Sequence, residues 1–190
     1  GIPNYLQNLW VRYWYPINFP DKVSIISDID MFPLSEEYFI DSIKSISDDK
    51  YVHLNPATDK LPHPLSLPSC YHVAKGSKFQ EVLKLPNNWE DSISELYNTG
   101  LGSDHGGHLS GKDRWAADER YATIKINNYE NPNDVVLVNR RDGQSAHRID
   151  RYDWSYSVEN FKNYIDSHSV RPYTTYKKEI DFLLEKILEK

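Results

Sequence analysis

The sequence predicts an α/β fold, a mixed and mainly parallel sheet flanked by helices. Two observations carry that expectation. Short β-branched apolar runs alternate with segments of helical period, and strands separated by helices imply at least partly parallel pairing. The length, 190 residues with 39% hydrophobic and 26% charged side chains, suits one domain with its own core. A single domain over residues 1–190 is therefore expected.

The run Val23-Ser24-Ile25-Ile26-Ser27 reads as a buried strand that stops at Asp28. Ser35 is placed to cap the next helix, with Phe39, Ile40, Ile43 and Ile46 along its buried side. Tyr51 to Leu54 reads as a short strand, and Pro56, Pro62, Pro64 and Pro68 make the stretch after it loop. Cys70 to Ala74 is the next strand, ended by Gly76. Ser77 and Gln80 have capping-box spacing for a helix carrying Phe79, Val82 and Leu83. A short helix is expected from Trp89 to Tyr97. Five of the eight glycines lie between Gly100 and Gly111, the composition of a flexible loop. Trp115 to about Asn127 reads as helix and Val135 to Val138 as a buried strand. Ile180, Leu183, Leu184, Ile187 and Leu188 then fall at helical spacing and define the last helix.

Composition narrows the function. The net charge is −6 and no dense Lys/Arg block occurs, which argues against a nucleic-acid partner. The apolar runs are too short to span a bilayer, no signal-peptide pattern is present, and Cys70 is the lone cysteine. A cytoplasmic location without a transmembrane segment is expected. The 14 Tyr and 5 Trp can stack on sugar rings or bases, or can pack the core.

The chemistry centres on Asp28-Ile29-Asp30, where the first strand ends. In extended backbone, side chains two apart share a side, so both carboxylates can face one cation. Oxygen ligands of this kind suit Mg²⁺ or Mn²⁺, which keep positions open for water and phosphate oxygens. The alternative is a solvated turn after a strand. Elsewhere, Asp104-His105-Gly106-Gly107-His108 raises the idea of zinc, but no further Cys or His cluster completes a tetrahedral site. An acceptor-side loop containing Asp104 and His105 is the better expectation.

Ser27-Asp28-Ile29-Asp30-Met31-Phe32-Pro33-Leu34, after a Val/Ile run, resembles the DxD region of GT-A-fold glycosyltransferases. Within that likeness, the closest resemblance is to the small enzymes of large algal viruses. Asn8 to Pro16 looks like the helix that leads into the family's strand, and Arg12 matches its donor-reaching basic residue. Arg114-Trp115-Ala116-Ala117-Asp118-Glu119-Arg120-Tyr121 is similar to the acidic motif beside the family's acceptor site.

The resemblance implies a GT-A-like sheet and transfer of a sugar from a UDP-sugar to a glycan or glycoprotein hydroxyl, with Mn²⁺ or Mg²⁺. It implies metal ligands Asp28, Asp30 and His147, and donor contacts from Arg12, Ser27, Ile29, His72, Arg148 and Arg151. Asp118 is the first candidate for the catalytic acid or base and Glu119 the second, with Trp115 on the acceptor side. Other readings stay open. Arg12 can be carboxylate-paired, the acids can serve the helix dipole, and His72 can simply be buried. Asp150 can pair with Arg148 or Arg151 in a structural network.

Only 27 residues precede Asp28, so the family's N-terminal nucleotide-binding strands are expected to lie outside this chain. A non-catalytic carbohydrate-binding module with the same fold is the second hypothesis. A haloacid-dehalogenase-type phosphatase is the third, and is disfavoured because Pro33 lacks the amide that such a phosphate loop needs.

Overall fold

A computed structural model describes residues 1–54, 67–101, 116–138, 148–149, 151 and 163–188. The chain divides into two compact units. The first comprises Gly1–Ser27 and Ile46–Asn139, and the second comprises Asp28–Ser45 and Arg140–Lys190.

In the first unit a four-stranded sheet is ordered β1 (Val23–Ile26), β4 (His72–Lys75), β3 (Tyr51–Leu54), β5 (Val135–Val138). β1 and β3 both run antiparallel to β4, and only β5 is parallel to β3. The helices here are α1 (Asn4–Trp14), α3 (Gly76–Leu83), α4 (Trp89–Asn98) and α5 (Ala117–Asn127). Their apolar faces bury Leu6, Trp10, Tyr13, Phe79, Leu83 and Leu96 in one core. Trp10 stacks at 5.2 Å on both Tyr13 and Tyr121 and donates its indole N–H to Ser92 Oγ at 2.9 Å, so the buried polar tip is satisfied.

In the second unit β7 (Asp166–His168) lies between β2 (Met31–Pro33), antiparallel to it, and β6 (Arg148–Ile149), parallel to it. Helices α2 (Glu36–Ile43) and α6 (Lys177–Leu188) belong to this unit, and Leu34, Ile149 and Leu183 form its small core.

The α/β class is as expected, but the mainly parallel sheet is not. Among the described residues three of the five strand pairings are antiparallel. The reason is local. β3 and β4, successive strands among the described residues, pair antiparallel, and β1 adds antiparallel to the far edge of β4. As an edge strand, β1 leaves Val23 and Ile25 each 48% exposed rather than buried. β5 is likewise only half-buried, with Leu137 46% exposed.

The cap expected at Ser35 is present, and Asn88, which sequence reading did not single out, caps α4 in the same way. Ser35 Oγ accepts the Tyr38 N–H at 3.1 Å, and Asn88 Oδ1 accepts the Asp91 N–H at 2.7 Å, each satisfying an orphan amide of a first turn. Ser77 does not cap. β4 runs directly into α3 at Gly76, and the Ser77 hydroxyl donates to the Pro20 carbonyl at 2.9 Å. Gly76 is required at that junction, because a Cβ there would stand 2.1 Å from Pro16 O and 2.6 Å from Phe19 O. On α2, Phe39 is buried but Ile40 is half exposed, so the buried stripe is narrower than its spacing implied.

Candidate functional site

The acidic pair lies in a turn, not in extended backbone. Met31 N–H donates to Asp28 O at 3.1 Å, which puts Ile29 and Asp30 at the turn's centre. The two-residue period therefore does not apply, and Ile29 points fully into solvent. The Asp30 carbonyl accepts the Ser169 N–H at 2.8 Å, tying the turn to the end of β7.

Around the Asp30 side chain three basic groups of the second unit converge. Arg151 Nη2 donates to Oδ2 at 3.2 Å, Arg171 Nη2 donates to the same oxygen, and His168 Nε2 stands 3.6 Å away. Burial pushes the Asp30 carboxyl up. The Arg171 hydrogen bond, with the neighbouring His168 imidazole and the Arg171 and Arg151 guanidinium groups, outweighs that and holds it below its ordinary range. Arg151 Nε also donates to His168 Nδ1 at 3.1 Å. A guanidinium N–H can only donate, so in this arrangement His168 carries its proton on Nε2, facing Asp30.

Beside this cluster Arg148 grips Asp166 with two parallel bonds, Nε to Oδ1 at 2.7 Å and Nη2 to Oδ2 at 2.6 Å. The two are register partners across β6 and β7, and Asp166 is fully buried. Arg148 is thus a structural partner of Asp166, the network alternative with a different carboxylate from Asp150. Asp150 itself lies outside the described residues.

The first unit holds a second polar cluster. Asp118 and Glu119 open α5, and both meet Ser69. Ser69 Oγ lies 3.2 Å from Asp118 Oδ2 and 3.0 Å from Glu119 Oε1, which also accepts the Ser69 backbone N–H at 3.0 Å. Arg12 Nε approaches Asp118 Oδ2 at 3.8 Å, so Arg12 is carboxylate-paired here. Asp118 is fully buried, and its Oδ1 has no hydrogen-bond partner among the described residues. Burial, and secondarily the Glu119 charge, lift its carboxyl to about 7 against the pull of Arg12.

Nearby, His53 Nε2 and His72 Nε2 both contact Pro68 O, at 2.9 and 2.8 Å, with their rings 4.3 Å apart. A carbonyl only accepts, so both histidines carry the proton on Nε2. Nδ1 of His72 then accepts the Tyr51 hydroxyl at 3.0 Å. Burial lowers His53 to about 4 and holds His72 well below its ordinary value, so both are neutral. His72 is the buried histidine of the two alternatives, with both ring nitrogens engaged by protein.

Of the remaining expected residues, Ser27 is half-buried just past β1, with no partner for its buried hydroxyl oxygen among the described residues. His147, Asp104, His105 and Trp115 lie outside the described residues. Sequence reasoning missed His168, Arg171, Ser69 and His53. Each stands in a segment with no recognisable ligand spacing, and its partners are distant in sequence.

Among the described residues no group of three or more His, Cys, Asp or Glu is placed to hold a metal. The Asp30 and His168 pair supplies suitable ligand types, a carboxylate oxygen and an imidazole nitrogen 3.6 Å apart, but Arg151 and Arg171 already donate to that oxygen and would have to yield it to a cation. Ligation through Nε2 would require the imidazole proton on Nδ1, and so would require Arg151 to release that atom. No helix among the described residues is long and apolar enough to cross a membrane. No protein-family model, curated protein or solved structure matches the chain.

Proposed function

We propose that the protein is a metal-dependent glycosyltransferase of GT-A type, working in the cytoplasm on a UDP-sugar donor and a glycan hydroxyl. The observation that supports this most is the meeting of Asp30, His168, Arg151 and Arg171 around one carboxylate oxygen. Asp30 and His168 would hold Mn²⁺ or Mg²⁺, with Asp28 two residues away as a further carboxylate. When bound, the cation supplies positive charge for the departing diphosphate. Arg151 and Arg171 have the planar, always-charged forks that pair with phosphate oxygens, and Arg171 keeps 65% of its side chain exposed.

The test is release of UDP from a panel of UDP-sugars, with and without Mn²⁺ and with excess chelator. The reading expects release with at least one donor that chelator abolishes and Asp30→Ala removes. Release that persists in chelator and in Asp30→Ala would contradict it.

A further inference from the structure

The Ser69 hydroxyl has one proton and two carboxylates to serve. Its oxygen lies 3.2 Å from Asp118 Oδ2 and 3.0 Å from Glu119 Oε1, both hydrogen-bond distances. A serine can donate once and accept twice. If both acids were ionised, one of the two contacts would be oxygen against oxygen with no hydrogen between them, beside the buried Ser69 and Asp118.

The environments decide which acid carries the extra proton. Glu119 Oε1 accepts the Ser69 backbone N–H at 3.0 Å, a donor that can never reverse, so that oxygen is an acceptor in any state. Asp118 is 0% exposed and its Oδ1 lacks a partner among the described residues, a poor place for a full charge. The charged and titratable groups facing Asp118 are Arg12 and Tyr13 on α1 and Glu119 on its own helix. Among the described residues Arg12 is the cation that faces it, and at 3.8 Å it is beyond hydrogen-bond reach of Oδ2. Tyr13, its hydroxyl held neutral chiefly by burial, carries no charge to compensate.

The geometry points to a single proton shared by the pair at neutral pH. Asp118 is the neutral acid and donates to Ser69 Oγ, Ser69 donates to Glu119, and Glu119 is the carboxylate. The two acids are therefore unequal: Asp118, sealed from solvent, is the protonated end of the Ser69 relay, and Glu119, half-buried, is its other end.

The experiment is a carbon-13 carboxyl NMR titration of aspartate-labelled protein from pH 5 to 9, with Asp118→Asn to assign the resonance. The expected result is an Asp118 signal at the protonated shift at pH 6 that moves to the ionised shift at higher pH. A signal already ionised at pH 5 would overturn the proposal, whatever the protein's activity. The second readout is the same titration in Ser69 variants. Ser69→Ala should shift the Asp118 transition, and Ser69→Thr, which keeps the hydroxyl, should restore it. An Asp118 transition unmoved in Ser69→Ala would also overturn the proposal.

Discussion

His168 Nε2 faces Asp30 Oδ2 across 3.6 Å, although one residue ends β7 and the other lies in the turn before β2. The antiparallel register makes this meeting, because it pairs Met31 with His168 and brings the preceding Asp30 alongside.

If that pair holds the cation, His168→Ala should weaken Mn²⁺ binding by about tenfold or more, read as free Mn²⁺ by electron paramagnetic resonance. Arg171→Ala, which removes a competing positive charge from Asp30, should strengthen binding of Mn²⁺ alone. Equal Mn²⁺ affinity in all three proteins would remove His168 and Asp30 from the metal's ligands.

The Arg148 and Asp166 fork should matter to folding rather than to ligand. Asp166 is completely buried, so Arg148→Ala removes two charge-assisted bonds from a buried carboxylate and should cost about 3–5 kcal/mol in urea unfolding. A cost below about 1 kcal/mol would show that solvent reaches Asp166.

How far the sequence carried the structure depended on how local each signal was. The Ser35 cap and the spacing of Ile180 and Leu183 are contained within a turn or two, and they reported α2 and α6 correctly. β2, β6 and β7 are two or three residues long and carry residues such as Pro33, Arg148, Asp166 and Ser167, so neither apolar alternation nor β-propensity marks them. Burial of β1 was misjudged because a strand's place in its sheet is a tertiary fact. Val23-Ser24-Ile25-Ile26 would read the same at the centre as at the edge where it lies. The acidic pair was legible as chemistry, but its partners Arg151, His168 and Arg171 come from the other end of the chain. Asp118 and Glu119 were legible as a pair, but Ser69, which joins them, was not.

Stability should fall as pH rises through neutrality on account of Asp118. Its folded carboxyl sits near 7 and its unfolded value near 3.8, so between these the folded state binds more protons. The neutral form's advantage is complete below pH 4 and is lost as pH passes 7, a change on the order of 4 kcal/mol at most if nothing relaxes. Chemical unfolding at pH 5 and pH 8 should show the loss in the unmodified protein and a much smaller one in Asp118→Asn. An identical slope in both would assign the pH dependence to other groups.

Gly76→Ala should destabilise the first unit by about 1–3 kcal/mol or more, because its Cβ would strike backbone carbonyl oxygens of Pro16 and Phe19 rather than a side chain that can turn away. A melting temperature unchanged from the parent would mean that the β4–α3 junction yields more easily than this packing implies.

The most direct measurement is calorimetric titration with UDP in the presence and absence of Mn²⁺, since UDP is common to every donor the proposal allows and no sugar need be guessed. The account predicts UDP binding that requires Mn²⁺ and disappears in Asp30→Ala. UDP binding that is equally tight without metal and survives Asp30→Ala would contradict it.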